Sequence, residues 1–414
     1  MSAWGIRSRL TASAVATLAV SLALTGCQQN GTNAGANSPA GDHVAANNGA
    51  ADSPDSSAAP AASIVANVHS AAKNVPVDTP VKLSVKHGKL TDVTFTAHGS
   101  KKPIRGSFNS DKTAWTAGSL LEPATTYVVK SSATNTDGKV STTRTRFTTQ
   151  DLSLDQQTYP TLTPLSKEVV GVGMPVIVKF DIPVKHRAAF ERHMTVTSKP
   201  ATQGSWHWIS DQEVHWRPKS FWKSGTKVHV DVNVNGVSAG NGVYGQTSRT
   251  LNFTVGRSVI MKINLKTDQM RVLLNHHLAR TIPVTGGQPG LETRSGIKLI
   301  VEKFTSIRMD GATVGFAPGS ANYYDIPDVQ YAQRVTFSGE FLHAAPWSTY
   351  AQGSYNVSHG CVGMSTENAA WLFGITHRGD PVEVTGSNRG IEPNNGWTDW
   401  DQSFKQYKQA SALN

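Results

Sequence analysis

From residue 63 onward, apolar and polar side chains alternate over short runs that end at turn residues. The runs at 81–85 and 176–180 are typical, and alternation with a period of two residues predicts β-strands. One segment, 366–378, has the pattern of a helix, with Ser365 as an N-cap and Gly379 as a C-cap glycine. The chain is therefore predicted to be mainly β, with one main helix.

An approximate repeat occupies the first part of this β-rich region. Gly-Ser-Phe at 106–108 and Trp115 recur about a hundred residues later as Gly-Ser-Trp at 204–206 and Trp216. Two such units with short strands and frequent turns predict tandem immunoglobulin-like sandwiches. Neither unit contains a cysteine, so both cores must depend on apolar packing.

Tryptophans are the bulkiest candidates for those cores. Because they alternate along predicted strands rather than gathering in a loop, core packing is favoured over the alternative of an exposed sugar-binding platform. They are Trp115, Trp206, Trp208, Trp216 and Trp222.

A third unit begins near Ser258 and is again rich in predicted strands. A tail with Trp397, Trp400 and Phe404 follows it, and these large apolar side chains predict that the tail docks on the body. The predicted strands of the third unit are 259–265, 270–274, 278–284, 297–302, 334–337, 340–343 and 380–384.

The N-terminus has the layout of an export signal. Arg7 and Arg9 precede an apolar stretch at 10–24, which is too short for a comfortable membrane span. The Leu-Thr-Gly-Cys sequence that ends at Cys27 resembles a bacterial lipobox, in which the cysteine is acylated. We therefore expect a lipid-anchored protein at the cell membrane that faces the periplasm or cell wall; ordinary cleavage near the same place, giving a secreted protein, is the alternative.

The organisation predicted from these patterns has six segments. They are the leader at 1–27, a disordered tether at 28–62, sandwich 1 at 63–150, sandwich 2 at 151–257, the third unit at 258–386 and the C-terminal tail at 387–414.

The charge is strongly basic, with 39 Lys and Arg against 29 Asp and Glu and a formal net charge of +10. A basic exported protein attracts polyanions such as those of a cell wall. Nucleic acid is not expected as a partner, because the positive residues are scattered rather than gathered in a stripe and the leader predicts export.

The two cysteines of the chain have separate predicted fates. If Cys27 is acylated, Cys361 is the remaining thiol and is a candidate nucleophile. A thiol needs a base nearby, and His343 and His359 are the candidates. The backbone N–H groups around Gly360 and Cys361 are predicted to stabilise a developing oxyanion.

These residues carry a family resemblance. Residues 258–385 resemble the catalytic domain of the L,D-transpeptidases (YkuD type), whose signature is a histidine, a spacer and then Ser/Thr-His-Gly-Cys. Here the signature is His343 followed by Ser-His-Gly-Cys at 358–361, and the match extends to 331–334 and 368–371. The sandwiches, the lipobox and the tryptophan-containing tail are also similar to actinobacterial and mycobacterial members.

The resemblance implies an enzyme that builds peptidoglycan and helps to set cell shape, uses no cofactor and is a target of carbapenem β-lactams. Cys361 is then expected to attack a stem tetrapeptide after its third residue and to release the terminal D-alanine. An amine of a neighbouring stem would resolve the thioester, which crosslinks two third residues.

The resemblance also implies individual roles. His343 is the proton shuttle, oriented by the backbone carbonyl of Ala344, and the backbone of Gly360 and Cys361 forms the oxyanion site with the Tyr324 hydroxyl, for which Tyr323 is a rival. Many relatives have Asn at the position of Gly363, so a substrate-contacting amide is missing here. The residues implied to line the cleft or shape its lid are Ser338, Gly339, Met309, Tyr331 and Trp347.

Several alternatives stay open. His359 either takes a direct catalytic part or only braces its loop, and a zinc site built from His343, His359 and Cys361 lacks the usual ligand spacing. No metal is predicted, since 238–242 has no carboxylate where some relatives place cation ligands. An L,D-carboxypeptidase with water as acceptor is the second enzymatic hypothesis. A non-catalytic, lipid-anchored wall-binding module is the hypothesis from another class.

Overall fold

The structure, a computed structural model, describes residues 58–414. The predicted leader with Cys27 and the tether up to residue 57 lie outside the described residues. Within 58–414, no helix is long and apolar enough to cross a membrane.

Residues 63–150 form two antiparallel sheets around an aromatic core. The strands are β1 (Ser63–Ala66), β2 (Lys82–Lys86), β3 (Lys89–Ala97), β4 (Gly106–Phe108), β5 (Ala114–Ala117), β6 (Thr126–Thr134) and β7 (Val140–Thr148). One sheet has the order β1-β2-β5-β4 and the other β3-β6-β7. The ring of Phe95 lies 5.2 Å from that of Tyr127 and 6.2 Å, edge-on, from that of Trp115, so aromatic packing joins the two sheets.

Residues 151–257 form two four-stranded sheets and a smaller sheet. The elements are β8 (Gln157–Thr158), β9 (Pro160–Thr163), β10 (Val169–Val170), β11 (Val176–Phe180), α1 (Arg187–Arg192), β12 (Met194–Lys199), β13 (Gly204–Trp208), β14 (Glu213–Pro218), β15 (Lys227–Val232), β16 (Ser238–Gly240), β17 (Val243–Gly245) and β18 (Arg249–Val255). The sheet orders are β10-β18-β15-β12, β13-β14-β11-β9 and β16-β17-β8.

The tryptophans of the two sandwiches are in the core, which confirms that prediction. Trp115, Trp206, Trp208, Trp216 and Trp222 are all buried. Two of them have partners for their polar ends: the indole N–H of Trp222 donates to the carbonyl of Met174 at 2.8 Å, and that of Trp208 donates to the side chain of Glu191 at 3.1 Å. Such partners are what burial of an indole requires.

Residues 258–386 combine a five-stranded and a four-stranded sheet. The elements are β19 (Val259–Asn264), β20 (Gln269–Leu274), β21 (His277–Pro283), β22 (Gly296–Leu299), β23 (Glu302–Asp310), β24 (Asp325–Arg334), β25 (Phe341–Ala344), β26 (Val362–Met364), α2 (Thr366–Ile375) and β27 (Pro381–Thr385). The orders are β21-β20-β19-β27-β22 and β23-β24-β25-β26. Apolar side chains from both sheets and from α2 form a shared core, which fixes β25 and β26 in the middle of this unit.

The main helix is shorter than predicted. Ser365 is the N-cap, and its side chain accepts from the N–H of Asn368, as predicted. The helix ends at Ile375 because Thr376 adopts an extended conformation and its hydroxyl donates to the side chain of Gln333 at 2.6 Å. Gly379 is therefore not the C-cap, and the prediction of a helix to residue 378 was wrong.

Gly379 instead lies where sandwich 2 meets the third unit. Its φ is +87°, and a Cβ there would lie 2.6 Å from the Cβ of Met174. The N–H of Gly173 donates to its carbonyl at 2.9 Å. A backbone approach this close explains the glycine.

The predicted strand at 334–337 was also wrong. Residues 336–340 form a tight turn in which the N–H groups of Val335 and Thr336 both point to the carbonyl of Glu340, at 2.9 and 3.4 Å. The strand lies upstream, as β24, and the turn leads directly into β25.

The C-terminal tail, with α3 (Phe404–Tyr407), docks on the body as predicted and contacts two units at once. The indole N–H of Trp400 donates to Gly173 of sandwich 2 at 2.7 Å. The side chain of Asp401 accepts from the N–H of Ile297, on β22, at 2.9 Å. The tail thus connects sandwich 2 with the third unit.

Candidate active site

Cys361 lies immediately before β26, at the floor of a cleft. Its Sγ lies 3.6 Å from the carbonyl oxygen of Gly339. Burial raises the pKa of the thiol to about 12, and the backbone N–H of Phe341 offsets that effect in part. The resting group is therefore a neutral thiol that needs a base to become nucleophilic.

His343, in the middle of β25, is the candidate base. The ring is buried, and its Nδ1 lies 2.7 Å from the carbonyl oxygen of Ala344, as the resemblance implied. Because a carbonyl only accepts, this contact puts the imidazole proton on Nδ1 and leaves Nε2 able to accept one. Burial lowers the pKa of His343, so the ring is neutral at rest.

The loop that carries the thiol is fixed by two hydroxyl groups. The hydroxyl of Ser358 donates to the carbonyl of Cys361 at 2.6 Å and accepts from the N–H of Gly360 at 3.0 Å. The hydroxyl of Thr293 donates to the carbonyl of Gly360 at 2.8 Å. Gly360 has a φ of +122°, a conformation that a side chain disfavours.

This geometry corrects one predicted role. The N–H of Gly360 is occupied by Ser358, so in this structure it is not directed at an oxyanion. The N–H of Cys361 and the hydroxyl of Tyr324 are the remaining members of the predicted oxyanion site.

An aromatic wall lines one side of the cleft. The ring of Tyr324 lies 4.9 Å from that of His359, and Phe316 lies 5.5 Å from the same imidazole. Burial raises the pKa of Tyr324 to about 12, which keeps its hydroxyl protonated and able to donate. Tyr323, the rival in the sequence, does not line the cleft, whereas Tyr324 does.

The cleft has a volume of about 280 Å³ and brings together most of the predicted residues. Several of its lining residues were not predicted from the sequence, because they belong to no motif. The lining residues are Thr285, Met309, Tyr324, Ile326, His343, Ala345, Trp347, Ser348, Tyr350, Val357, Ser358, His359, Cys361 and Gly363.

Three predicted cleft residues lie elsewhere. Tyr331 packs with the ring of Phe373, at 5.8 Å, against the core of the third unit, so it does not shape the lid. Ser338 and Gly339 do not line the cleft. They form part of the turn behind Cys361, which Gly339 contacts through its carbonyl.

The position of Gly363 has a steric reason. It pairs with His343 across the parallel strands β25 and β26. A Cβ at Gly363 would lie 2.8 Å from the Cβ of Ala345, closer than side chains approach. The small residue lets β26, which follows Cys361, lie against β25, which carries His343.

A buried ionic cluster that the sequence did not reveal lies behind the thiol. One carboxylate oxygen of Glu340 accepts from Lys298 at 2.6 Å, and the other accepts from the side chain of Arg294 at 3.0 Å. All three side chains are buried. Burial lowers the pKa of Lys298, and Glu340 opposes that shift.

No metal cluster is present among residues 58–414: no three His, Cys, Asp or Glu side chains there are grouped to hold an ion. The zinc alternative, built from His343, His359 and Cys361, has no such grouping.

Comparison with protein families gives two matches. Residues 258–384 match the family described as the L,D-transpeptidase catalytic domain (YkuD). Residues 72–238 match a bacterial Ig domain, and this match includes parts of both predicted sandwiches.

Individual relatives match along most of the chain. L,D-transpeptidase 2 of Mycobacterium tuberculosis is 35% identical over 350 residues, which are 84% of this chain and 85% of the relative. L,D-transpeptidase 5 of the same species is 33% identical over 353 residues, 83% of this chain and 75% of the relative. Among solved structures, LdtMt1 in complex with imipenem is 35% identical, covers 54% of this chain and 97% of its own, and has a TM-score of 0.48.

Proposed function

Because the chain belongs to the L,D-transpeptidase family, we propose that Cys361 is its nucleophile and that the reaction passes through a thioester acyl-enzyme. The observation that carries the proposal is that a partly buried thiol and a neutral imidazole line the same cleft. The contact between Nδ1 of His343 and the carbonyl of Ala344 leaves Nε2 as the acceptor.

The first half-reaction forms the acyl-enzyme. The thiol proton passes to Nε2 of His343 as Sγ attacks the carbonyl carbon after the third residue of a stem tetrapeptide. The negative oxygen of the tetrahedral intermediate accepts from the hydroxyl of Tyr324 and from the N–H of Cys361. The C–N bond then breaks, and His343 returns the proton to the amine of the departing D-alanine.

The second half-reaction transfers the acyl group. A side-chain amine from the third residue of a neighbouring stem attacks the thioester, its proton passes to His343, and the C–S bond breaks. The thiolate takes back the proton. The product is a crosslink between two third residues, and the enzyme is regenerated without a cofactor.

The neutral resting state of both Cys361 and His343 has a functional consequence. The raised pKa of Cys361 and the lowered pKa of His343 disfavour a standing thiolate–imidazolium pair. Proton transfer therefore accompanies attack on a bound substrate, which limits reaction of the thiol with other electrophiles.

A carbapenem offers a strained β-lactam carbonyl that the same thiol can attack, which opens the ring and leaves the acyl group on sulfur, and a relative of this chain, LdtMt1, has been solved with imipenem. We propose that carbapenems acylate Cys361. We also propose that acylation at Cys27 anchors the protein to the membrane, and that the tether and the sandwiches place the third unit within reach of the wall.

The choice between transfer and hydrolysis is tested with purified protein and tetrapeptide stems. We expect dimers joined through their third residues and free D-alanine in equal amounts, and no dimers with Cys361→Ala. Tripeptide without dimer, even with an added acceptor amine, would identify an L,D-carboxypeptidase instead. Absence of any product and of any carbapenem adduct would leave a wall-binding module.

The membrane proposal has its own measurement. We expect metabolic labelling with a palmitate analogue to mark the wild-type protein in the host and to leave Cys27→Ala unlabelled and released from the membrane fraction. An unlabelled wild-type protein would mean ordinary cleavage.

A further inference from the structure

We propose that Asn395, in the C-terminal tail, is a positioning residue for the nucleophile. It holds the turn at 336–340, and Gly339 in that turn offers its carbonyl oxygen to the thiol of Cys361. The inference rests on the proposed function, in which Cys361 is the attacking group.

The first step is the contact between thiol and turn. Sγ of Cys361 lies 3.6 Å from the carbonyl oxygen of Gly339, which accepts a hydrogen bond from the S–H. Gly339 has a φ of +98°, so the direction of this carbonyl depends on a conformation that the surrounding turn must maintain.

The tail binds Ser338, the residue on the N-terminal side of Gly339. The side-chain oxygen of Asn395 accepts from the N–H of Ser338 at 2.9 Å, and its Nδ2 donates to the Ser338 hydroxyl at 2.8 Å. The next residue, Gly396, packs so closely that a Cβ there would lie 2.7 Å from the carbonyl oxygen of Val335. The side-chain amide of Asn395 thus binds both the backbone N–H and the hydroxyl of Ser338, the residue that precedes Gly339.

Glu340, the residue on the C-terminal side of Gly339, is also connected to the tail. Its carboxylate accepts from Arg294, whose Nε also donates to Glu392 of the tail. Glu392 accepts in turn from Nδ2 of Asn395 at 2.9 Å. Both sequence neighbours of Gly339 are therefore connected to the same short segment of the tail, and Asn395 takes part in both connections.

An effect on the position of the Cys361 thiol can be distinguished here from an effect on the stability of the protein. Ser338 is exposed and Asn395 is half-buried, and the hydrogen bonds between them are exposed, so these bonds contribute little to the free energy of unfolding. Ser338 is covalently linked to Gly339, whose carbonyl oxygen contacts the thiol of Cys361. A shift of this turn therefore changes the surroundings of the thiol, and small displacements of a reacting atom have large effects on rate. The expected consequence of losing Asn395 is a slower reaction in a folded protein.

The experiment compares Asn395→Ala with Ser411→Ala in the otherwise complete mature protein. Ser411 also makes a tail hydrogen bond, to Glu191 of sandwich 2, and this bond does not reach the turn. For Asn395→Ala we expect acylation by imipenem to slow by about tenfold with little change in melting temperature. For Ser411→Ala we expect a rate within about twofold of the wild type.

A second readout distinguishes positioning from loosened structure. A hydrogen bond from the neutral thiol to Gly339 favours the protonated form, so losing it moves the pH midpoint of iodoacetamide alkylation to lower pH. Asn395→Ala is therefore expected to alkylate faster than the wild type at neutral pH while imipenem acylates it more slowly. Ser338→Ala keeps the N–H but loses the hydroxyl, so we expect the same pattern at a smaller size.

Equal imipenem rates and equal alkylation midpoints in the wild type and Asn395→Ala would overturn the inference. If Asn395→Ala does not fold, the Ser338→Ala result decides in its place. A wild type that alkylates at Cys361 but gives neither an imipenem adduct nor dimers would contradict the proposed function, while the alkylation midpoints would still test the positioning role.

Discussion

At the scale of single residues, the account depends on the protonation of two groups. His343 is held by the carbonyl of Ala344, and burial keeps it neutral. The thiol of Cys361 has a pKa raised to about 12. The base must therefore act during the attack rather than before it.

Replacing the base tests this directly. We expect His343→Ala to slow acylation by imipenem by about 10²- to 10⁴-fold, the usual contribution of a general base. Stopped-flow fluorescence at saturating imipenem would measure it. His276→Ala, on an exposed turn, is the matched control, and a His343→Ala rate within a few-fold of this control would exclude His343 as the base.

The pH dependence follows from the lowered pKa of His343. A histidine with a lowered pKa stays neutral below the usual midpoint of about 6.5, so the rate of acylation should hold through that pH and fall only in more acidic solution. A pH–rate profile measures the midpoint. A midpoint above about 6.5 would mean that the imidazole is stabilised as a cation, contrary to this account.

The short motif made the candidate reacting residues predictable from the sequence. His343, Cys361 and the carbonyl of Ala344 lie within local sequence whose geometry follows from a strand and a tight loop. The cluster of Lys298, Glu340 and Arg294 was not predictable, because single charged residues in separate segments have no local pattern. Its members meet only after β22 and β25 have been placed.

At the scale of elements, the critical feature is the parallel pairing of β25 with β26, which sets His343 opposite Gly363. The sequence predicted a strand at 340–343, close to β25, but neither β26 nor the register between the two strands, because register depends on contacts between distant segments. It also missed the end of α2, where the side-chain bond from Thr376 to Gln333 overrides a helical pattern.

The steric role of Gly363 gives a prediction at this scale. A Cβ placed 2.8 Å from that of Ala345 must push the two strands apart, so Gly363→Ala should lower the free energy of unfolding by about 1–3 kcal/mol. It should slow acylation as well. Urea unfolding measures the first effect, with the helix residue Gly374→Ala, which has open space for a Cβ, as the control.

If Gly363→Ala were as stable as the wild type, the close packing of β25 on β26 would not be the reason for this glycine.

At the scale of the whole molecule, the tail is fixed to sandwich 2 by a buried ion pair. Nδ1 of His215, on β14, lies 2.8 Å from a carboxylate oxygen of Asp399, and Nε2 lies 2.8 Å from Glu213. Burial opposes charge on His215, but the two carboxylates raise its pKa to about 9. The sequence predicted a docked tail from its tryptophans, whereas this pairing across 184 residues had no signal in the sequence.

The pairing of His215 with Asp399 and Glu213 should make the stability of the protein fall at alkaline pH. A histidine whose pKa is raised by folding stabilises the protein fully below its unfolded value of about 6.5, and that contribution is lost as pH rises through about 9. Scanning calorimetry should show a melting temperature that falls over this window, with a loss of roughly 3 kcal/mol. His215→Gln should remove most of the slope, and the exposed His69→Gln should keep it.

An identical slope in His215→Gln would mean that other groups produce the alkaline loss.

The central claim is that Cys361 becomes covalently acylated with His343 as its base. Intact-mass spectrometry after incubation with imipenem tests it most directly. The account predicts one adduct per wild-type chain, located on the peptide that contains Cys361, no adduct on Cys361→Ala, and slow, incomplete formation on His343→Ala. An unmodified wild-type protein, or an adduct that persists in Cys361→Ala, would contradict it.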